Sequence, residues 1–514
     1  MSKTIIIIGA GLAGLSAALQ AAENGCNVKL VSSLPSERAQ SVMAEGGINA
    51  ALNTKDENDS PEEHFTDTIK AACGLADPNA VWGMTQAAPE LVHWLLKLGV
   101  KFNMSGHDDV DLRNFGGQKK KRTAFAQSDT GKQIMTAMID AVRRKEASGM
   151  VERFSHHSFL TLSLCGNICC GCVIRDEYSQ EIVELPGDAV IVATGGMLGL
   201  FGNTTGSLSN TGEVTAELFR LGVPLANGEM IQYHPTTVKC GGKRMLISEA
   251  ARGEGGRLFA MKDGKQWYFM EEKYPELGNL MPRDITAREI WNVGHESEVF
   301  LDMTDISEEI ISNKLSGLAD DCMTYLHKDI RKEPVSVLPG IHYFMGGILV
   351  DEQHRTPIQN LCAAGECCAQ YHGANRLGGN SLLGALYGGR VAAKSACEQA
   401  DVVDLSCATQ IDFPPASQIS EIKQLNKVMQ ETMGVVRNEN TLLNGIQTVQ
   451  ALTGNLPLLG MAVLKSALAR KESRGAHWRE DYPKSNDDDY LKTTVARFDG
   501  KQIQISFVPV PERR

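Results

Sequence analysis

The sequence predicts an α/β protein: a nucleotide-binding parallel sheet, interrupted by an inserted α+β domain and followed by a helical domain and a polar tail. Three observations carry this expectation. The chain opens on Thr4-Ile5-Ile6-Ile7-Ile8, then Gly9-Ala10-Gly11-Leu12-Ala13-Gly14, then an alanine-rich run, which is the strand, glycine turn and helix of a dinucleotide cradle. A second apolar strand, from Asp188 to Gly196, again runs into small residues, as a chain must where backbone passes close to a bound group. Between about Met230 and Pro339 the texture changes, and histidines, arginines and acids cluster in glycine-rich loops.

Length and composition bound the rest. A chain of 514 residues can bury several cores, and 42% hydrophobic with 22% charged residues is ordinary globular composition. A net charge of −11 argues against a general nucleic-acid binder. Met1-Ser2-Lys3 leads straight into the first strand without a signal-peptide pattern, and no window of about 20 residues is continuously apolar, so a cytoplasmic chain that spans no membrane is expected. Thirteen cysteines, an odd count, favour free thiols over a disulfide framework.

In chain order, Gly9, Ala10 and Gly11 form the turn against the pyrophosphate, and Gly14 lets the helix pack on the strand. Asn27 to Ser32 reads as the second parallel strand. An ordinary NAD site would place an acid near Ser32 or Ser33 to hold the ribose, and none is there. Arg38 to Ala51 is a small-residue loop, followed by helix from Pro61 to about Leu98. Lys119-Lys120-Lys121-Arg122 reads as a solvated surface cluster. Residues 134–152 read as helix and 153–193 as a β-rich excursion, in which Cys169, Cys170 and Cys172 are small buried residues of a hairpin. No second cysteine pair stands at zinc spacing, so no metal site is expected. The inserted domain has helices near 285–294 and 306–329; residues 343–400 return to strand, glycine loop and helix; further helices cover 417–435, 440–454 and the region near 459–471. The resulting division is 1–229 and 341–404 for the nucleotide domain, 230–340 for the insertion, 405–472 for the helical domain and 473–514 for the tail.

Two loops carry chemistry: Gln232-Tyr233-His234-Pro235 leading to Ser248-Glu249-Ala250-Ala251-Arg252, and Ile341-His342-Tyr343 leading to His372-Gly373-Ala374-Asn375-Arg376-Leu377-Gly378-Gly379. Hydroxyl and cationic donors beside paired glycines suit a small dianion better than a core. With the tail run Ser473-Arg474-Gly475-Ala476-His477-Trp478-Arg479-Glu480-Asp481-Tyr482-Pro483, these motifs resemble the flavoprotein subunit of the succinate dehydrogenase and fumarate reductase family, with L-aspartate oxidase as nearest relative. The resemblance runs nearly end to end.

It implies an FAD-binding Rossmann-like domain with an inserted capping domain, and two-electron exchange at flavin N5 between FAD and a C4 dicarboxylate, interconverting fumarate and succinate. Matched position by position, it implies that His234, Ser248, His342 and Arg376 bind the dicarboxylate, that Arg283 donates the proton, and that Glu249 and Arg252 relay protons to it. Ser248 stands where the family more often has threonine, which keeps the hydroxyl. The implied FAD contacts are Gly9, Ala10, Gly11, Gly14, Ser32, Gln40, Ser41, Gly46, Gly47, Glu213, Glu366, Ser381 and Leu382, with Glu213 replacing the usual aspartate. Where many members carry a flavin-linked histidine in Arg-Ser-His-Thr-Val, this chain has Arg38-Ala39-Gln40-Ser41-Val42, so the FAD is expected to be non-covalent and fumarate reduction favoured. The chain has no Fe–S cysteine set, so the resemblance implies an iron–sulfur partner subunit and, through it, a membrane anchor. L-Aspartate oxidase, a thiol-linked fumarate reductase and a catalytically silent electron-transfer subunit are the alternatives; Leu377-Gly378-Gly379 and the tail motif follow the dehydrogenase form.

Overall fold

The structure, a computed structural model, describes residues 2–106, 109–207, 209–399 and 418–514. Four β-branched residues in succession have no polar face to offer solvent, and Thr4–Ile8 (β1) accordingly lies at the centre of a five-stranded parallel sheet. Asn27–Ser32 and then Val151–Ser155 lie on one side of it, Ala189–Val192 and then Leu361–Ala363 on the other. Ile5, Ile6 and Ile7 are fully buried. Leu12–Glu23 (α1) follows β1 at once, and a Cβ at Gly14 would stand 1.8 Å from the Gly9 carbonyl oxygen, so this helix can approach its strand only without one. The helix Asn380–Gln399 packs against α1, held by a Ser16 hydroxyl that donates to the Leu386 carbonyl at 2.6 Å.

Residues 157–186 form a three-stranded antiparallel sheet beside this core. Cys169, Cys170 and Cys172 are buried free thiols in its middle strand, and burial pushes Cys169 up to about 12. The expected solvated basic cluster divides. Lys119 and Lys121 are exposed, but Arg122 is fully buried, paired with Asp59 at 2.8 Å and Asp67 at 3.0 Å. A charge run says nothing about which member has acids waiting for it elsewhere in the chain.

The insertion contains two sheets. Ile231–Cys240 pairs antiparallel with Lys243–Leu246 and Leu338–Phe344, bulging between His234 and Thr237. Arg257–Lys262, Lys265–Trp267, Val299–Asp302 and Val335–Ser336 form the other, over a core that includes Leu258, Ile290 and Leu301. Helices Ile419–Thr432, Glu439–Val449 and Asn455–Ala469 pack together beyond the nucleotide domain. The boundary drawn between residues 404 and 405 lies outside the described residues.

The segment 473–514 does not stand apart as a polar tail. Lys492–Phe498 and Ile503–Pro509 form a hairpin around Asp499-Gly500, with Gly500 at φ 88°, and the hairpin joins Leu225–Ala226, Gly347–Leu349 and Cys368–Ala369 in a second five-stranded sheet. Ala496 is buried there, and Phe498, Ile503 and Ile505 on the same side pack with it against the helical core, supplying the apolar face that the charged composition of the segment conceals.

Candidate active site

One cavity of about 830 Å³ runs from the glycine turn of the nucleotide domain to the arginines of the insertion. At the nucleotide end it is bounded by Gly9, Ala10, Gly11, Ser32, Gln40, Ser41, Gly46, Gly47, Glu213, Glu366, Ser381 and Leu382. Gly14 alone among the expected cofactor contacts stands outside it, behind the turn. Gly9 has φ 109°, and a Cβ on it would meet the Ala193 carbonyl at 2.3 Å, which is why the turn is glycine. Gly11 caps α1 without a side-chain hydrogen bond; the Leu12 N–H donates to Ser41 Oγ at 3.2 Å, which leaves the later N–H groups of the first turn for a phosphate. The Ser32 hydroxyl is buried without a protein partner at the end of the second strand. Glu366 accepts from the Phe344 N–H at 3.0 Å, and burial pushes its carboxyl up to about 7. These groups fit a dinucleotide cofactor: open donors at a helix start, an orphaned hydroxyl where a ribose would lie, and glycines where side chains would fill the groove.

At the other end, separate elements bring six groups to the cavity wall. Arg283 is the first residue of the helix Arg283–Gly294, entered through Pro282. Its guanidinium donates to one oxygen of Glu249 from Nε at 2.8 Å and from Nη2 at 2.6 Å, and from Nη1 to Gln232 Oε1 at 3.1 Å. Glu249 begins the short helix Glu249–Gly253, which Ser248 caps. Its other oxygen accepts from Arg252 Nη2 at 3.3 Å and from the Gly116 N–H at 3.2 Å. Burial alone would raise the Glu249 carboxyl, but Arg283 and Arg252 override it and hold the group below its ordinary value. Arg252 lies behind Glu249 rather than on the cavity wall, and donates to the Asn279 carbonyl at 2.6 Å.

His234 and His342 face each other with ring centroids 5.1 Å apart. Burial and then the Arg283 charge hold both well below an ordinary histidine, so both rings are neutral. Thr205 Oγ1 meets His342 Nδ1 at 2.8 Å, and Thr236 engages His234 Nδ1 through its carbonyl at 3.1 Å and its N–H at 3.3 Å. In each ring Nε2 is the nitrogen left for a ligand, and it can donate when Nδ1 accepts. Arg376 is 3% exposed, lies 4.3 Å over the Tyr343 ring, keeps a buried Nε without a partner, and forms no ion pair among the described residues. Burial, then Arg283, pulls it down to about 9.

Several groups in or behind this wall had no role in the sequence reading. Gln232 is tied on its amide side to Asn375 Oδ1 at 3.0 Å and the Arg376 carbonyl at 2.9 Å, so it couples Arg283 to the Arg376 loop. Its place two residues before His234, on one strand face, was the available signal. Gly116 and Thr205 gave none, being remote in sequence from the groups they hold. Glu45 lines the cavity with a buried, unpartnered oxygen, and burial, reinforced by Asp321, pushes it up to about 8. Arg244 also lines it and donates only weakly, to Thr237 Oγ1 at 3.4 Å.

Known proteins share both halves of this arrangement. Residues 4–382 match the FAD binding domain family and residues 452–513 the fumarate reductase flavoprotein C-terminal family. The chain is 38% identical to the succinate dehydrogenase flavoprotein subunit of Bacillus subtilis, over 100% of this chain and 98% of that one. It is 32% identical to the 8-methylmenaquinol:fumarate reductase flavoprotein subunit of Wolinella succinogenes, over 100% and 92%. Its fold matches the FrdA chain of a mutant E. coli quinol fumarate reductase with a TM-score of 0.90 at 27% identity, covering 99% and 97% of the two chains. FAD is therefore the dinucleotide that the cradle holds, and the chain belongs to the family of succinate dehydrogenase and fumarate reductase flavoprotein subunits.

Proposed function

We propose that this chain interconverts fumarate and succinate, with fumarate reduction the favoured direction. The observation that carries the reading is Arg376: a buried guanidinium with no ion pair among the described residues requires an anion, and it lies in the same cavity as the FAD cradle. FAD, when bound, supplies the two-electron hydride chemistry at its N5. The residues do the remainder. Arg376 takes one carboxylate, while Ser248 and the Nε2 groups of His234 and His342 hold the other and twist it from the plane of the double bond. That leaves the neighbouring carbon electron-poor. Arg283 gives a proton to the adjacent carbon and recovers one through Glu249 and Arg252. An arginine can act so only if reloaded as it gives, and the two hydrogen bonds from Arg283 to one Glu249 oxygen provide the path.

Gln40 has no nucleophilic ring nitrogen, so the flavin is held without a covalent bond; its side-chain oxygen instead accepts from the Ser207 N–H. An iron–sulfur subunit, with a membrane anchor beyond it, is the proposed electron partner, supported by relatives named as subunits. No helix among the described residues is long and apolar enough to cross a membrane.

The test is fumarate-dependent oxidation of a reduced viologen dye by the FAD-loaded protein, with succinate-driven dye reduction run beside it and L-aspartate as a third substrate. Fumarate reduction should run fastest, and Arg283→Ala should lower it by about 10²–10⁴-fold while leaving the flavin spectrum unchanged. No fumarate-dependent rate in the native protein refutes the reading, and turnover of L-aspartate replaces it with an amine oxidase.

A further inference from the structure

Cys26 follows α1 and leads into the second strand, while Cys397 lies in the last turn of the Asn380–Gln399 helix. The two positions are 371 residues apart in sequence, yet their sulfur atoms are 2.9 Å apart and both thiols are free. The packing that brings them together is closely determined. A Cβ on Gly389 would stand 2.3 Å from the Ala13 carbonyl, and the Ser16 hydroxyl reaches Leu386, so the two helices meet along their length without room to slide. Cys26 is 5% exposed, but Cys397 is half-buried and open to a reagent, and the Lys3 ammonium donates to its carbonyl at 2.7 Å.

The same two helices begin at the flavin cavity, through Gly11 and Leu12 on one and Ser381 and Leu382 on the other. We propose that Cys26 and Cys397 form a reversible disulfide that ties these two helices together at their far ends and slows the loss of FAD. The oxidant is a low-molecular-weight disulfide such as glutathione disulfide. The Cys397 thiolate attacks one of its sulfurs and expels the first thiolate. The Cys26 thiol then gives up its proton and attacks Cys397 Sγ, expelling the second, so two protein thiols are oxidised and one disulfide is reduced to two thiols. Burial and the neighbouring Cys26 push the Cys397 thiol up to about 12, so thiolate is scarce near neutrality and the exchange is slow.

The FAD-loaded protein is equilibrated in buffers of graded glutathione to glutathione disulfide ratio, trapped with iodoacetamide and mapped by mass spectrometry without reduction. The expected result is a linked Cys26–Cys397 peptide that grows with the disulfide ratio, vanishes on reduction, and is absent from Cys26→Ser and Cys397→Ser. FAD release, followed by fluorescence after dilution, should be severalfold slower in the oxidised protein and indifferent to oxidation in Cys26→Ser. Alkylation of both thiols at every ratio, or a glutathione adduct on Cys397 that never resolves onto Cys26, refutes the disulfide. A linked peptide with unchanged FAD release refutes the tie.

Discussion

At the scale of single residues, the cavity is a problem in placing charge without water. Among the described residues, Glu249 alone compensates Arg283 and Arg252, both almost fully buried. Glu249→Gln would leave two buried guanidinium groups beside Arg376 without a carboxylate. It should lower fumarate turnover by at least about 10²-fold and cost about 3–5 kcal/mol of stability, read from dye kinetics and a denaturant melt. Glu45 poses the opposite case. Its carboxyl, pushed up to about 8, is neutral through the physiological range and ionises as pH rises past that value. A new negative charge at the cavity wall then repels a dianion, so the KM for fumarate should climb above pH 8 in the native protein and stay flat in Glu45→Gln. His234 and His342 are neutral already, so steady-state profiles should show no break between about pH 6 and 7. Of these residues, the ones lying in contiguous motifs were legible in the sequence. Gly116 was not, because its N–H meets Glu249 from 133 positions away and no local pattern encodes that contact.

At the scale of elements, strands and turns differ sharply in what their residues reveal. The β1, glycine and α1 unit is legible because each step excludes alternatives: four β-branched residues cannot be a surface helix, and Gly14 has no room for a methyl group. Gly14→Ala should therefore abolish FAD retention and destabilise the fold by more than about 3 kcal/mol, measured by melting and bound flavin absorbance. Gly294→Ala is the matched control. It closes a helix with nothing within 4 Å of the added carbon, so its melting temperature should stay level or rise slightly. The Lys492–Phe498 and Ile503–Pro509 hairpin was illegible for a physical reason. Its strands place Arg497, Gln504 and Ser506 on one face and set Lys492 and Thr494 among the apolar residues of the other, and its partner strand is only Leu225–Ala226, so the alternation is short and half polar. The Asp499-Gly500 turn was the signal that could have identified it.

At the scale of the whole molecule, a chain of net charge −11 concentrates unpaired positive charge where an anion must bind, so function follows local field rather than overall balance. The flavin offers a direct test of the Gln40 substitution. Acid precipitation of the FAD-loaded protein should leave the yellow chromophore in the supernatant, and colour retained on the polypeptide would overturn non-covalent attachment. The second five-stranded sheet has a consequence for how the protein is made. Its strand Leu225–Ala226 lies between Gly347–Leu349 and Lys492–Phe498, so it waits for a neighbour from the far end of the chain. At ordinary rates of synthesis that wait is on the order of tens of seconds, during which one edge of Leu225–Ala226 has no strand to pair with. A nascent chain arrested before residue 492 should therefore hold all the residues of the cavity wall but an open edge on Leu225–Ala226, and bind chaperones until translation ends. Flavin loading can then precede the last strands, whose arrival closes the edge of the second sheet rather than the cofactor site.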